Sequence, residues 1–188
     1  MRNKGRLVVI SGPSGVGKGT VIRRLLGECK NMRISVSATT RAPRSEDTEG
    51  VTYFFKTVDE FRSMIDGSEF LEWAVYNGNY YGTPRAAVEE NLKCGLNVIL
   101  EIDVQGALEV MKKCPDAVYI FIAPPDRETL MQRLIGRGTE TEEQIKMRCD
   151  AAEAELEQQN KYDYVVVNDV LNDAVREIKS IIEGKNVK

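Results

Sequence analysis

Lys18 sits near the end of Gly12-Pro13-Ser14-Gly15-Val16-Gly17-Lys18-Gly19-Thr20, where the spacing G-x-x-x-x-G-K sets two glycines and one cation in the pattern of a phosphate-binding loop. Glycines let successive backbone N–H groups aim into one concavity. The apolar run Leu7-Val8-Val9-Ile10 delivers the chain to the loop as a buried strand, and a helix over 21–26 adds its positive end. Polyphosphate is the guest this chemistry suits. The dinucleotide pattern G-x-G-x-x-G fails, because a start at Gly15 and Gly17 puts Thr20 where the third glycine belongs. One place departs from the usual loop: Gly19, rather than Ser or Thr, follows Lys18, so contact between a loop hydroxyl and magnesium stays open.

Other groups able to do chemistry lie in clusters further along. Arg41 and Arg44 flank Ala42-Pro43 in a Ser/Thr-rich stretch, 35–44, that has no helical period and looks like a loop presenting side chains. Glu101 and Asp103 end an apolar strand, 97–102, and carboxylates at the carboxyl end of a parallel strand collect beside a phosphate loop. Arg133, Arg137 and Arg148 flank the break Gly136-Arg137-Gly138. Taken alone, such residues have plain alternatives: Arg41 and Arg44 as a solvated basic turn, Glu72 as an exposed edge-strand charge, and the arginines around 133–148 as a helix face laced with Glu140, Glu142 and Glu143.

Composition narrows the chemistry. The chain has no histidine, which excludes Ser-His and Cys-His catalysis, and Cys29, Cys94, Cys114 and Cys149 form no C-x-x-C, which argues against a zinc site. Lys, Arg, carboxylates and a bound metal must carry the reaction. A net charge of −3 argues against a nucleic-acid-coating surface, and no apolar run is long enough to span a bilayer. Met1 leads almost directly into the first strand, leaving no room for a cleavable signal, so the expected location is cytoplasmic. At 188 residues the chain suits one domain with small inserts.

The elements that must position these groups follow from pattern. Strands are expected over 33–36, 51–55, 70–76, 97–102, 118–122 and 164–167. Thr57 with Glu60 makes a capping box for a helix to about Asp66, and Thr141 with Gln144 another for a helix with Ile145, Cys149, Ala152 and Leu156 on one face. Asn77-Gly78-Asn79 turns the chain, and Pro84 opens a helix to about Lys93. Further helices are expected over 104–113 and 127–135, with Leu171, Val175, Ile178 and Ile182 lining a last one. Strands alternating with helices predict an α/β fold with a parallel sheet. The aromatic, β-rich stretch 35–92 reads as a small α+β insert.

GPSGVGKGT at 12–20, SVSATTRAPR at 35–44, FLEW at 70–73, GNYYGTP at 78–84, EIDVQG at 101–106, FIAPP at 121–125, GRGTETEE at 136–143 and VVND at 166–169, in this order, resemble the guanylate kinases over nearly the whole chain. The resemblance implies transfer of the γ-phosphoryl of Mg-ATP to GMP, and to dGMP. It implies a P-loop core (1–34, 93–125 and 150–188) with a parallel sheet flanked by helices, a GMP-binding insert (35–92) and a helical lid (126–149). Arg41, Arg44, Tyr53 and Tyr81 would hold the GMP phosphate, and Ser37, Glu72, Thr83 and Asp103 would face the guanine. Lys18 and the amides of 12–20 would hold ATP phosphates, with Arg133 beside them and Asn168 near the adenine. Lys18, Arg44, Arg137 and Arg148 would serve the transfer itself. ATP and Mg²⁺ are the implied cofactors, with no firm protein ligand for the metal; GMP and ATP are the implied partners, and no nucleic acid, membrane or obligatory protein partner is expected.

Two rivals follow from the same residues. GKGT also suits kinases of other nucleoside monophosphates. A scaffold domain of this fold would bind phosphorylated peptides, though such domains have a degraded loop, and Gly12, Gly17 and Lys18 are intact here.

Overall fold

A computed structural model describes residues 4–135 and 142–184. Arg137, the proposed hinge glycines Gly136 and Gly138, and Thr141 of the second capping box lie outside the described residues. In chain order the elements are β1 (Leu7–Ser11), α1 (Lys18–Glu28), β2 (Met32–Ile34), β3 (Ala38–Thr39), β4 (Phe54–Phe55), α2 (Val58–Asp66), β5 (Phe70–Tyr76) and β6 (Asn79–Pro84). They continue with α3 (Arg85–Lys93), β7 (Asn97–Glu101), α4 (Val104–Lys113), β8 (Val118–Ala123), α5 (Arg127–Ile135), α6 (Glu142–Leu156), a short 3₁₀ turn (Gln159–Lys161), β9 (Tyr164–Val167) and α7 (Leu171–Ile182). One sheet has the strand order β2-β7-β1-β8-β9, and a smaller one β4-β3-β6-β5.

The chain forms two compact units. The first takes Met1–Leu7, Asn31–Leu100 and Gln105–Asp116; the second takes Val8–Lys30, Glu101–Val104 and Ala117–Lys188. In the second, β8 pairs in parallel with β1 (Val8↔Val118 to Ser11↔Phe121) and with β9 (Ile120↔Tyr164 to Ala123↔Val167). Val8, Val9, Ile10 and 119–123 are buried without alternation, as parallel strands covered on both faces require. Helix α1 buries Val21, Ile22 and Leu25, and α7 buries Ala174, Val175, Ile178, Ile181 and Ile182 at helical spacing.

In the first unit β2 pairs in parallel with β7, and the smaller sheet is mixed. Helix α2 starts at the expected box: Thr57 accepts from the Glu60 N–H at 3.2 Å and Glu60 from the Thr57 N–H at 2.7 Å. It brings Phe61 onto Phe70, with ring centroids 4.4 Å apart, over buried Ala38.

Three details differ from the pattern reading. Ala38–Thr39, inside the stretch read as a loop, is a strand, because its partners Gly82, Tyr81, Phe54 and Phe55 are distant in sequence. Residues 79–84 form a strand where sequence showed only a turn followed by a helix. The strand expected over 51–55 shrinks to Phe54–Phe55, because the Thr48 carbonyl accepts from the Val51 and Thr52 N–H groups in a turn around Gly50 (φ 72°).

Candidate active site

The phosphate loop is built from β1 into the N-terminus of α1. Gly12 adopts φ 145°, and a Cβ there would lie 2.3 Å from the Ile122 carbonyl oxygen of β8, so only glycine lets the chain leave the sheet at this point. Gly17, at φ 94°, caps α1, and its carbonyl accepts from the Thr20 and Val21 N–H groups. The Val16 N–H donates to the Pro13 carbonyl at 3.3 Å. Lys18 folds back across this turn: its ammonium donates to the carbonyls of Gly12 at 2.5 Å and Pro13 at 3.0 Å.

Carboxylates gather around that ammonium. Burial holds Lys18 below its ordinary pKa, and Glu155, Glu101 and Asp103 each pull it back up. Glu101 and Glu155 are in turn raised above the ordinary glutamate value, first by burial and against the attraction of Lys18. Glu155 also accepts the Ser14 N–H at 3.3 Å, and the Arg148 guanidinium donates to the Ser14 hydroxyl at 3.2 Å. Both reach the loop from α6, where Arg148, Ala152 and Glu155 follow helical spacing on one face.

Arg133 and Asn168 meet on the other side of the loop. The Asn168 side-chain amide donates to the Val16 carbonyl at 2.8 Å, and Arg133 reaches the same oxygen at 3.3 Å and the Asn168 carbonyl at 3.3 Å. The resemblance put Asn168 near an adenine; here its amide is engaged with the loop backbone.

A Cβ on Gly19 would come 3.3 Å from a Glu101 carboxylate oxygen, the movable end of a side chain, so Glu101 lies against the place where other phosphate loops carry a hydroxyl. Among the described residues no group of three or more His, Cys, Asp or Glu is placed to hold a metal by itself. This donor set fits Mg²⁺ that arrives on a nucleotide, since that ion keeps several waters and takes one or two carboxylates plus phosphate oxygens.

In the first unit the expected acceptor-binding residues fall into two groups. Arg41 donates to the Asp47 carboxylate at 2.8 Å and to the Ala42 carbonyl at 2.8 Å, and its guanidinium lies 5.4 Å from the Tyr53 ring centroid. Tyr53 and Tyr81 meet edge to face at 6.0 Å. Arg44 joins through its backbone, whose N–H donates to Asp47 at 2.8 Å. Asp47 is held below the ordinary carboxylate pKa by that N–H first and by Arg41 after it.

The second group is buried. The Thr83 hydroxyl donates to Glu72 at 2.6 Å, with Thr83 1% and Glu72 7% exposed. Glu72 lies in the buried first part of β5 with Phe70 and Leu71, where the register against β6 shifts between Phe70 and Trp73. Ser37 immediately precedes Ala38, whose partner Gly82 immediately precedes Thr83, so the pairing carries Ser37 to the same end. Asp103 belongs to the unit of the phosphate loop, where it acts on Lys18 and Glu155.

The family model for guanylate kinase matches residues 4–185. The chain belongs to the guanylate kinase family. It is 51% identical over 187 residues to the guanylate kinase of Halalkalibacterium halodurans, covering 100% of this chain and 92% of that one. It is 52% identical over 188 residues to that of Clostridium acetobutylicum, covering 100% and 90%. The crystal structure of guanylate kinase from Anaplasma phagocytophilum superimposes with a TM-score of 0.76 at 34% identity, covering 100% of this chain and 89% of that one. As a guanylate kinase the chain is an enzyme of ATP:GMP phosphotransfer.

Sequence reading of this guanylate kinase passes over Asp47 and Glu155. Asp47 carries a local signal, an Asp three residues after Arg44 in a turn-forming segment. Glu155 carries a weaker one, its place on the helical stripe of Arg148 and Ala152.

Proposed function

We propose that the phosphotransfer uses Mg-ATP as donor, accepts dGMP as well as GMP, and takes place in the cytoplasm. A phosphate oxygen of the acceptor attacks the γ-phosphorus of ATP in line, the bond to the β–γ bridging oxygen breaks, and ADP and GDP leave. The acceptor nucleophile is already anionic, so positioning and charge neutralisation suffice and no histidine is needed. Mg²⁺ arriving on the nucleotide would supply charge neutralisation on the phosphate oxygens, with Glu101, the carboxylate that acts on Lys18 and is assigned to neither nucleotide, as the side chain that would hold it.

The roles divide between the groups described above. The amides of 12–20 and Lys18 take ATP phosphates, and Arg133, Arg137 and Arg148 add cations. Arg41, Arg44, Tyr53 and Tyr81 take the acceptor phosphate through forked guanidinium donors and phenols. Ser37, Glu72, Thr83 and Asp103 take the guanine. None of these eight acceptor residues is assigned to the ribose, which is why dGMP enters the reading. Four free thiols, Cys29, Cys94, Cys114 and Cys149, suit a reducing compartment.

The observation that carries guanine selection is the buried Glu72–Thr83 pair at 2.6 Å. The Thr83 bond orients a carboxylate that can accept from the guanine N1–H and N2–H₂ together. Adenine offers no such pair and leaves buried charge uncompensated. A coupled assay over GMP, dGMP, AMP, CMP and UMP tests the reading. Turnover with GMP and dGMP well above the others supports it, and faster turnover with AMP than GMP would sink it.

A further inference from the structure

We propose that Asn168, backed by Arg133, is a positioning residue that fixes the Val16–Gly17 peptide so that the Gly17 N–H faces the phosphate site. The proposal rests on the reading that the loop takes the polyphosphate of ATP.

The Val16 carbonyl accepts the Asn168 amide at 2.8 Å and Arg133 at 3.3 Å, so two donors hold one oxygen. A trans peptide is planar, and its N–H points opposite to its C=O. Pinning the Val16 oxygen against Asn168 therefore turns the Gly17 N–H the other way. A flip of this peptide would aim a carbonyl dipole where the N–H belongs, and Gly17 at φ 94° is a glycine for which alternative backbone angles cost little. The loop needs an external constraint at this peptide, and Asn168 supplies it.

Asn168 is itself held. Its N–H donates to the Ala123 carbonyl at the end of β8 at 2.8 Å, and its own carbonyl accepts from Arg133 at 3.3 Å. The side chain is almost wholly buried, with the residue 8% exposed. The fit is close, since a Cβ on Gly17 would stand 2.7 Å from the Asn168 amide nitrogen. The phosphate loop is thereby tied at this peptide to a residue 152 positions further along the chain.

A base-reading role for Asn168 makes a different prediction, because tripolyphosphate has no base. Calorimetric titration of wild type, Asn168→Ala and Arg133→Met with ATP and with tripolyphosphate separates the two. The expected result is a loss of about tenfold for Asn168→Ala and a smaller, few-fold loss for Arg133→Met, by the same factor for both ligands. GMP affinity should hold, and the Gly17 amide resonance should respond less to tripolyphosphate in the variants than in wild type. Loss of ATP affinity with tripolyphosphate affinity unchanged would overturn the proposal in favour of base reading, and unchanged affinity for both would overturn it outright. If Asn168→Ala fails to fold, Arg133→Met carries the same comparison. Wild type that binds no tripolyphosphate would instead sink the underlying reading of the loop.

Discussion

The Glu155 carboxylate accepts the Ser14 N–H at 3.3 Å, so an anion of the protein's own already touches the loop that receives nucleotide phosphate. Glu155 also acts on Lys18, the cation of that loop. A phosphate entering the loop meets a like charge and must compete for the same donors. Arg148, seven residues earlier on α6, donates to the Ser14 hydroxyl, so the helix presents one residue that opposes phosphate and one that favours it.

Replacing Glu155→Gln removes the charge and keeps the shape. ADP should then bind a few-fold tighter, by about 1 kcal/mol at an effective dielectric near the protein surface, in a titration at low ionic strength. Raising the salt should shrink the gain. Unchanged ADP affinity at low salt would show that Glu155 leaves the loop before phosphate arrives.

Asp47 ties Arg41 and Arg44 into one turn through two contacts of 2.8 Å. Without its carboxylate the two arginines lose their common anchor. Asp47→Ala should raise KM for GMP about tenfold with a much smaller change in kcat and in KM for ATP, because it disturbs binding of the acceptor phosphate alone. Steady-state kinetics with each substrate varied in turn decide this, and a fall in kcat with KM for GMP unchanged would contradict it.

How far the sequence reaches depends on the span of each contact. The phosphate loop and the Thr57–Glu60 box are legible because their partners lie within a few residues, and the structure has both where the pattern put them. The elements β5, α4, α5, β9 and α7 also stand where the sequence pattern placed them. Strand β3 is two residues long, and its identity depends on Gly82, Tyr81, Phe54 and Phe55, which no local window contains. The contacts of Ser14 with Glu155 and of Val16 with Asn168 span 141 and 152 residues. Sequence could name Glu72 and Thr83 through family resemblance, but the bond between them depends on the pairing of β5 with β6 and its shifted register there, which composition does not show.

Glu72→Gln tests base selection directly. The amide keeps one acceptor and places a donor against the guanine donors, so GMP turnover should fall by about 100-fold or more while ADP affinity changes little. Discrimination between GMP and AMP should narrow at the same time. Equal loss for acceptor and donor nucleotides would mean that the substitution damages the fold and would take Glu72 out of base reading.

The pH dependence of stability gives a last prediction, in which the sign is fixed by Glu101 and Glu155. Burial raises both carboxyls above the ordinary glutamate value of 4.5, despite the attraction of Lys18. Between that value and the raised native one, the folded chain binds more protons than the unfolded chain. Stability from these groups is therefore present below the ordinary pKa and lost as pH rises through the native one. Asp47 and Asp126, held low by hydrogen bonds from Arg44 and Thr129, slope the other way at more acid pH, so the whole-protein curve mixes both signs. The difference between wild type and Glu155→Gln isolates one group. Urea unfolding from about pH 4 to about pH 7 should show the variant gaining on wild type as pH rises, because both chains ionise Glu101 but only wild type must also ionise the buried Glu155 carboxyl. Lys18, already depressed by burial, loses one of its attracting carboxylates in the variant and should titrate lower still. A difference that stays flat across that range would mean that Glu155 titrates as an ordinary surface carboxylate.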